Sequence, residues 1–198
     1  MKILKSLLGG FSLLAIVLST TAVAGEDLLT RLSVKTQEIQ SLQGRFEQQK
    51  NIAVLPVPLM SNGRFTLEQG KSIEWQLLEP VQQTIRLSPN GITLESGGKA
   101  GKLGEAMPAQ GAETLTKVFM AVVSGQWETL SEYFEIEAAG NADKWQLLLL
   151  PRSQALAAYI RQIEIRGGEF TEQLDIAEAN GDSTIIRLTI DKVVRRQP

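Results

Sequence analysis

SNGRFTLEQGKSIEWQLLEPVQQTIRLSPNGITL, residues 61–94, decides the fold. Phe65 and Leu67 alternate with Arg64, Thr66 and Glu68. After Gln69-Gly70, Ile73, Trp75 and Leu77 alternate with Ser72, Glu74 and Gln76. Pro80 closes that run, Ile85 and Leu87 alternate with Thr84, Arg86 and Ser88, and Pro89-Asn90-Gly91 leads into Ile92-Thr93-Leu94. A period of two, with Gly, Pro and Asn at the joints, predicts three or four strands of an antiparallel meander with one apolar face. That face must be covered by something else in the chain.

Upstream, Met1-Lys2-Ile3-Leu4-Lys5 is a basic start, Leu7 to Leu18 is apolar apart from Gly and Ser, and Ala22-Val23-Ala24 offers small residues. These are the three parts of a secretory signal peptide, with cleavage expected after Ala24. The apolar run is too short to span a bilayer comfortably. Removing 24 of the 198 residues leaves 174, the size of one domain, so residues 25–198 are expected to fold as a single unit. Export across one membrane, with no second apolar span, leads to the expectation that the chain lies in the periplasm of a Gram-negative cell or is secreted.

Composition excludes several function classes. The chain has no Cys, so neither disulfides nor a lipid-modified amino-terminal Cys are available. It also has no His, which with the missing thiols removes imidazole bases, thiolate nucleophiles and the usual zinc ligands. No enzymatic activity, cofactor or metal is expected. Loss of Lys2 and Lys5 leaves 18 basic against 22 acidic residues. Such a balance, without a basic block, fits neither nucleic-acid binding nor polybasic membrane adsorption.

Around the meander, Glu26–Gln40 carries Leu28, Leu29, Leu32 and Ile39 near helical spacing and predicts a helix packed on the core. Leu42–Lys50 with Phe46 reads as the first strand. The next ten residues, NIAVLPVPLM, are too apolar for a free linker, and Pro56 and Pro58 bar a central strand. An edge strand or an extended loop on the sheet rim that packs on or binds something is expected there. Beyond Glu95 a Gly- and Ala-rich stretch reads as a flexible loop. It leads into ETLTKVFMAVV, residues 113–123, where Leu115, Val118, Phe119 and Val122 fall at i, i+3, i+4 and i+7 of an amphipathic helix ended by Ser124-Gly125. Strands are expected at Leu130–Glu137, Lys144–Leu150, the end of Leu156–Ile165, Phe170–Ile176 and Ser183–Val193, with Asn180-Gly181 as a hairpin turn. The total is about nine to eleven strands, enough for a twisted sheet to curl. The fold class is therefore α+β and mainly β: an incomplete, unclosed antiparallel barrel whose concave apolar face is covered by helices. Trp75, Trp127 and Trp145, with Phe46, Phe65, Phe119 and Phe134, supply its large interior side chains.

The order of these features resembles the periplasmic outer-membrane lipoprotein carrier proteins, the LolA-like family. The matching residues are Phe46-Glu47-Gln48 after the first helix, Gly63-Arg64-Phe65, Trp75 with Pro80, the Gly91 turn, and Gly125 and Trp127 before Tyr133-Phe134-Glu135-Ile136. Trp145 to Pro151 and the closing strands complete a match over the mature chain. The resemblance implies a hydrophobic cavity for the acyl chains of lipoproteins, lidded by helices. It also implies transfer from an inner-membrane exporter to an outer-membrane acceptor by a soluble, monomeric carrier. Candidate cavity residues are Phe46, Phe65, Ile73, Trp75, Leu77, Ile85, Leu87, Phe134, Trp145 and Leu147; candidate lid residues are Leu115, Val118, Phe119 and Val122. The chain departs from the family where an Arg-Pro pair precedes the tryptophan that Trp75 matches and the Arg latches the lid: Gln69-Gly70 stands there instead. The cargo of such a branch could be another acylated envelope lipid. Two other classes stay open: a non-transporting periplasmic lipid sensor or protein-binding module on the same fold, and an enzyme using carboxylates such as Glu135 and Glu137.

Overall fold

Alternating patterning becomes one antiparallel sheet of eleven strands in the computed structural model, which describes residues 21–89, 91–96, 99–102, 118, 121, 122 and 124–196. The strands are β1 (Ile39–Asn51), β2 (Leu59–Glu68), β3 (Ser72–Glu79), β4 (Gln83–Ser88), β5 (Gly91–Ser96) and β6 (Lys99–Lys102), then β7 (Phe134–Asn141), β8 (Lys144–Pro151), β9 (Ile160–Gly167), β10 (Thr171–Glu178) and β11 (Ser183–Arg195). Their spatial order is β6-β5-β4-β3-β2-β1-β11-β10-β9-β8-β7. Two meanders, one from each half of the chain, are thus joined by the pairing of β1 with β11, in which Asn51 faces Ser183 and Phe46 faces Leu188. The edges β6 and β7 do not pair with each other, so the sheet is an unclosed barrel.

Nine of the eleven strands contribute buried side chains to one apolar face. Leu42 and Phe46 of β1, Phe65 and Leu67 of β2, Ile73 and Trp75 of β3 and Leu87 of β4 are buried. So are Phe134 of β7, Trp145, Leu147 and Leu149 of β8, Ile163 and Ile165 of β9, Leu174 of β10 and Ile186 of β11. Helices lie against this face. α1 (Thr21–Gln37) buries Leu28 and Leu32, which are one turn apart, and its Lys35 Nζ donates to Ala142 O at 3.0 Å. α2 (Trp127–Tyr133) buries Trp127 and Leu130, and the single turn α3 (Gln154–Ala157) starts at Ser153, whose hydroxyl accepts from Leu156 N. Val118, Ala121, Val122 and Ser124 are also helical and buried.

Some sequence-based expectations change. The first helix starts at Thr21 and stops at Gln37, so Ile39 opens β1 rather than closing a helical stripe. The stretch expected as a strand from Leu130 is helical up to Tyr133, and the strand starts at Phe134. Trp127, Leu130 and Phe134 follow helical spacing, and aromatic content masks that period as strand propensity. The Gly-rich stretch is not wholly loop, because Lys99–Lys102 pairs with β5. The expected signal peptide lies outside the described residues as far as residue 20, and Thr21–Ala24 begin α1.

Candidate functional site

The concave face brings the sequence-nominated residues together, and glycines decide how closely. Gly63 of β2 lies between Phe46 of β1 and Leu77 of β3 in the strand register, two positions along from the Phe65–Trp75 pair. With no side chain at Gly63, the Phe46 ring crosses the strand and stacks on Trp75, centroids 3.8 Å apart at 21°. Phe65 faces Gly44 on the same principle and stacks on Trp75 at 5.8 Å. A Cβ on Gly63 would sit 1.9 Å from Gln76 O and 2.6 Å from the Phe46 ring, so no other residue fits without movement. Ile73 and Leu87 pair beside this stack, and Ile85 pairs with Trp75. Leu77 and Ile85 are only partly buried and mark the outer limit of the apolar wall.

A second aromatic pair holds the other meander. Trp127 of α2 meets Trp145 of β8 edge to face at 5.5 Å, and Trp145 Nε1 donates to Gly168 O at 2.8 Å. Phe134 and Leu147 are fully buried in the same core. Of the expected lid, Val118 and Val122 are buried, four residues apart on one helical face; Leu115 and Phe119 lie outside the described residues. Where α1 and α2 meet the sheet, the void among Leu32, Ile39, Leu42, Trp127 and Trp145 is about 30 Å³. Trp127 Nε1 is buried and without a partner, in a side chain that borders that void. A wider groove, about 390 Å³, opens beside it over Phe170, Leu188, Ile190 and Val193, and Phe170 lines both spaces.

Polar groups form pairs between strands. Glu178 accepts from Lys50 Nζ at 2.6 Å and from the Thr184 hydroxyl at 3.1 Å. Exposed cross-strand and neighbouring pairs are Arg45–Asp191 at 2.8 Å, Arg86–Glu74 at 2.6 Å and Arg166–Glu164 at 2.6 Å. In each, the hydrogen bond from the guanidinium to the carboxylate raises the Arg pKa further. These exposed pairs contribute little stability. Among the described residues, no group of three His, Cys, Asp or Glu could hold a metal ion. Gln69, at the position where the resemblance expects a latching Arg, has its Oε1 buried and unpartnered.

Sequence reasoning missed part of this face. Leu149, Ile163, Ile165, Leu174 and Ile186 are as deeply buried as the nominated residues. Their signal was present as alternation in β8 to β11, but only the sheet order reveals that these strands share a face with β1 to β4.

The family described as "Outer membrane lipoprotein carrier protein LolA-like" matches residues 18–183. No curated protein matches the sequence. Among solved structures, a LolA superfamily protein from Nitrosomonas europaea is similar at 10% identity and TM-score 0.45, over 86% of this chain and 95% of that one. A putative outer membrane lipoprotein-sorting protein domain from Vibrio parahaemolyticus is similar at 9% identity and TM-score 0.44, covering 88% and 95%. The Pseudomonas aeruginosa MucA/MucB complex is similar at 12% identity and TM-score 0.44, over 86% of this chain and 58% of that one.

Proposed function

Because the chain belongs to the LolA-like family of outer membrane lipoprotein carrier proteins, we propose that it is a soluble periplasmic carrier for acyl chains. The cargo class is lipoproteins or another acylated envelope lipid, taken from an inner-membrane exporter and delivered to an outer-membrane acceptor. One observation carries this reading: an unclosed eleven-stranded sheet turns a continuous apolar face inward and covers it only with helices. Each methylene removed from water is worth about 0.8 kcal/mol, so a chain of about sixteen carbons resists leaving a membrane by about 13 kcal/mol. A carrier has to replace that environment with apolar wall and needs no catalytic group to do so. Phe46, Phe65, Ile73, Trp75, Leu87, Phe134, Trp145 and Leu147 supply the wall in this reading, and the helix bearing Val118 and Val122 is the movable lid. The void bordered by Leu32, Ile39, Leu42, Trp127 and Trp145 is only about 30 Å³, so in this reading cargo enters by displacing the helices. Solvent extraction of the protein purified from the periplasm, followed by mass spectrometry, tests the reading. Acyl-bearing molecules in about equimolar amount are expected, and a lipid-free preparation that also fails to take up a fluorescent fatty acid overturns it.

The filled interior also favours one other reading, a protein-binding or lipid-sensing module that never opens. It predicts a stable protein partner in pull-downs from the periplasm and no exchange of lipid.

A further inference from the structure

We propose that one end of the barrel is a membrane-docking rim, which lays an uncharged aliphatic loop into the surface of a zwitterionic lipid bilayer. The strand registers bring the 52–58, 80–82, 152–159 and 179–182 connections to the same end, since Asn51 faces Ser183, Ala177 also faces Ser183, and Ile160 faces Glu178. Exposed large apolar side chains concentrate there: Val54 is 87% exposed, Val57 65%, Val81 63%, Met60 55% and Leu59 51%. Leu78, the extra residue of a bulge between the Asn62–Glu79 and Gly63–Leu77 pairs, is exposed as well. A soluble monomer rarely exposes so contiguous an apolar patch without a use for it.

The rim is built rather than loose. Leu55 N donates to Ile52 O at 2.9 Å, and Ala53 N donates to Asp182 Oδ1 at 2.9 Å, which ties the loop to the β10–β11 turn. Across the four connections the only charged residues are Arg152 and Asp182. Both are engaged within the protein: Arg152 Nε donates to Ser131 O and Phe134 O, and Asp182 accepts from Ala53 N and from Asn180 Nδ2. The opposite end is different, with Lys71, Asp143, Lys144 and Glu169 at its turns.

These features select the occupant. Pro56 and Pro58 have no N–H to donate, so the loop cannot add to a partner's sheet. The aliphatic loop itself, residues 52–60, contains no Trp, Tyr or Arg, the residue types that anchor protein interfaces; the rim's one exposed aromatic, Tyr159, stands on the separate 152–159 connection. With 18 basic against 22 acidic residues after processing, and the one cation of these connections, Arg152, bonded within the protein, attraction to anionic headgroups is also absent. What remains is insertion of aliphatic side chains at the headgroup boundary, which requires no charge on the lipid. This inference stands apart from the carrier reading, because the rim is outside the concave face.

Flotation of the full, processed protein with phosphatidylcholine vesicles tests it. Binding is expected, unchanged between low and high salt, and reduced about tenfold or more in Val54→Asp/Val57→Asp, whose melting temperature should match the parent because both sites are exposed. As the chain has no Cys, a polarity-sensitive dye on Val57→Cys should shift to the blue with vesicles, and the same dye on Lys71→Cys should not. No flotation, flotation that requires anionic lipid, or a self-association abolished by the double substitution overturns the proposal. Extracting acyl chains from the same preparations keeps the two readings distinguishable: their absence bears on the carrier function, whereas vesicle binding alone decides the rim.

Discussion

Trp75 is where the residue scale decides most. It stacks on both Phe46 and Phe65 rather than lining open space, so Trp75→Ala removes a packed ring and two stacking contacts. The loss in stability is expected to be about 3–5 kcal/mol in a urea titration; a loss under about 1 kcal/mol would mean that the site is roomy rather than packed. The glycines sharpen the contrast. Gly63→Ala places a methyl against Gln76 O and the Phe46 ring, and overpacking of this kind costs about 1–3 kcal/mol or more. Gly70 is held at φ +73° with nothing within 4 Å of the place a methyl would take, so Gly70→Ala carries only the left-handed backbone penalty of about 1–2 kcal/mol. A smaller loss at Gly63 than at Gly70 would show that the Phe46–Trp75 stack yields easily.

At the scale of elements, the segment containing Val118, Ala121, Val122 and Ser124 is the natural moving part. It is buried in the same core that leaves only a small void beneath the helices. In the carrier reading, an entering acyl chain would have to take the place of its side chains. Amide protection over 118–124 is expected to fall when a fatty acid is added, while β8 and β9 stay protected. Unchanged protection would make this a fixed core helix. The latch position belongs to the same question. Gln69 donates its backbone N–H to Gln40 O, and its side-chain Oε1 has no partner. Without a charge-assisted bond, worth about 1.5–3 kcal/mol, the lid has less to break when it opens. Gln69→Arg is expected to lower the affinity for an apolar dye if the guanidinium reaches a lid carbonyl; an unaltered affinity and unaltered exchange would remove position 69 from the opening mechanism.

For the whole molecule, the proposed export and processing would set the working chain. Cleavage after Ala24 would shorten α1 from its amino end but keep Leu28, Leu32 and the Asp27–Arg31 pair that lies one turn apart on it. Intact mass of the periplasmic protein is expected to correspond to a start at Gly25, with a melting transition no lower than that of the full chain. A start beyond Leu28 would remove a core side chain and should lower the melting temperature by several degrees.

The amino-acid sequence alone determined most of the strands, the apolar phase of those it identified and the absence of imidazole and thiol chemistry, because these are properties of spacing and composition. Phe65, Trp75 and Leu87 could be assigned to one face from the period of two, which holds whatever the neighbours are. Only the tertiary structure decided which strands share that face. The β1–β11 pairing joins residues about 140 positions apart by contacts that leave no local pattern. It also decided that Gly63 is a passage for the Phe46 ring, which depends on a partner two strands away. The helix at Trp127–Tyr133 was hidden for a related reason: its aromatic residues favour a strand in isolation, and packing of Trp127 against Trp145 of β8 overrides that preference. The apolar run from Ile52 to Met60 was plain in the sequence, but whether it was core or surface was not. Prolines keep its middle out of the ladder, so Val54 and Val57 stand in water where a central strand would have buried some of the run, and Leu59 and Met60, at the first two positions of β2, are exposed as well.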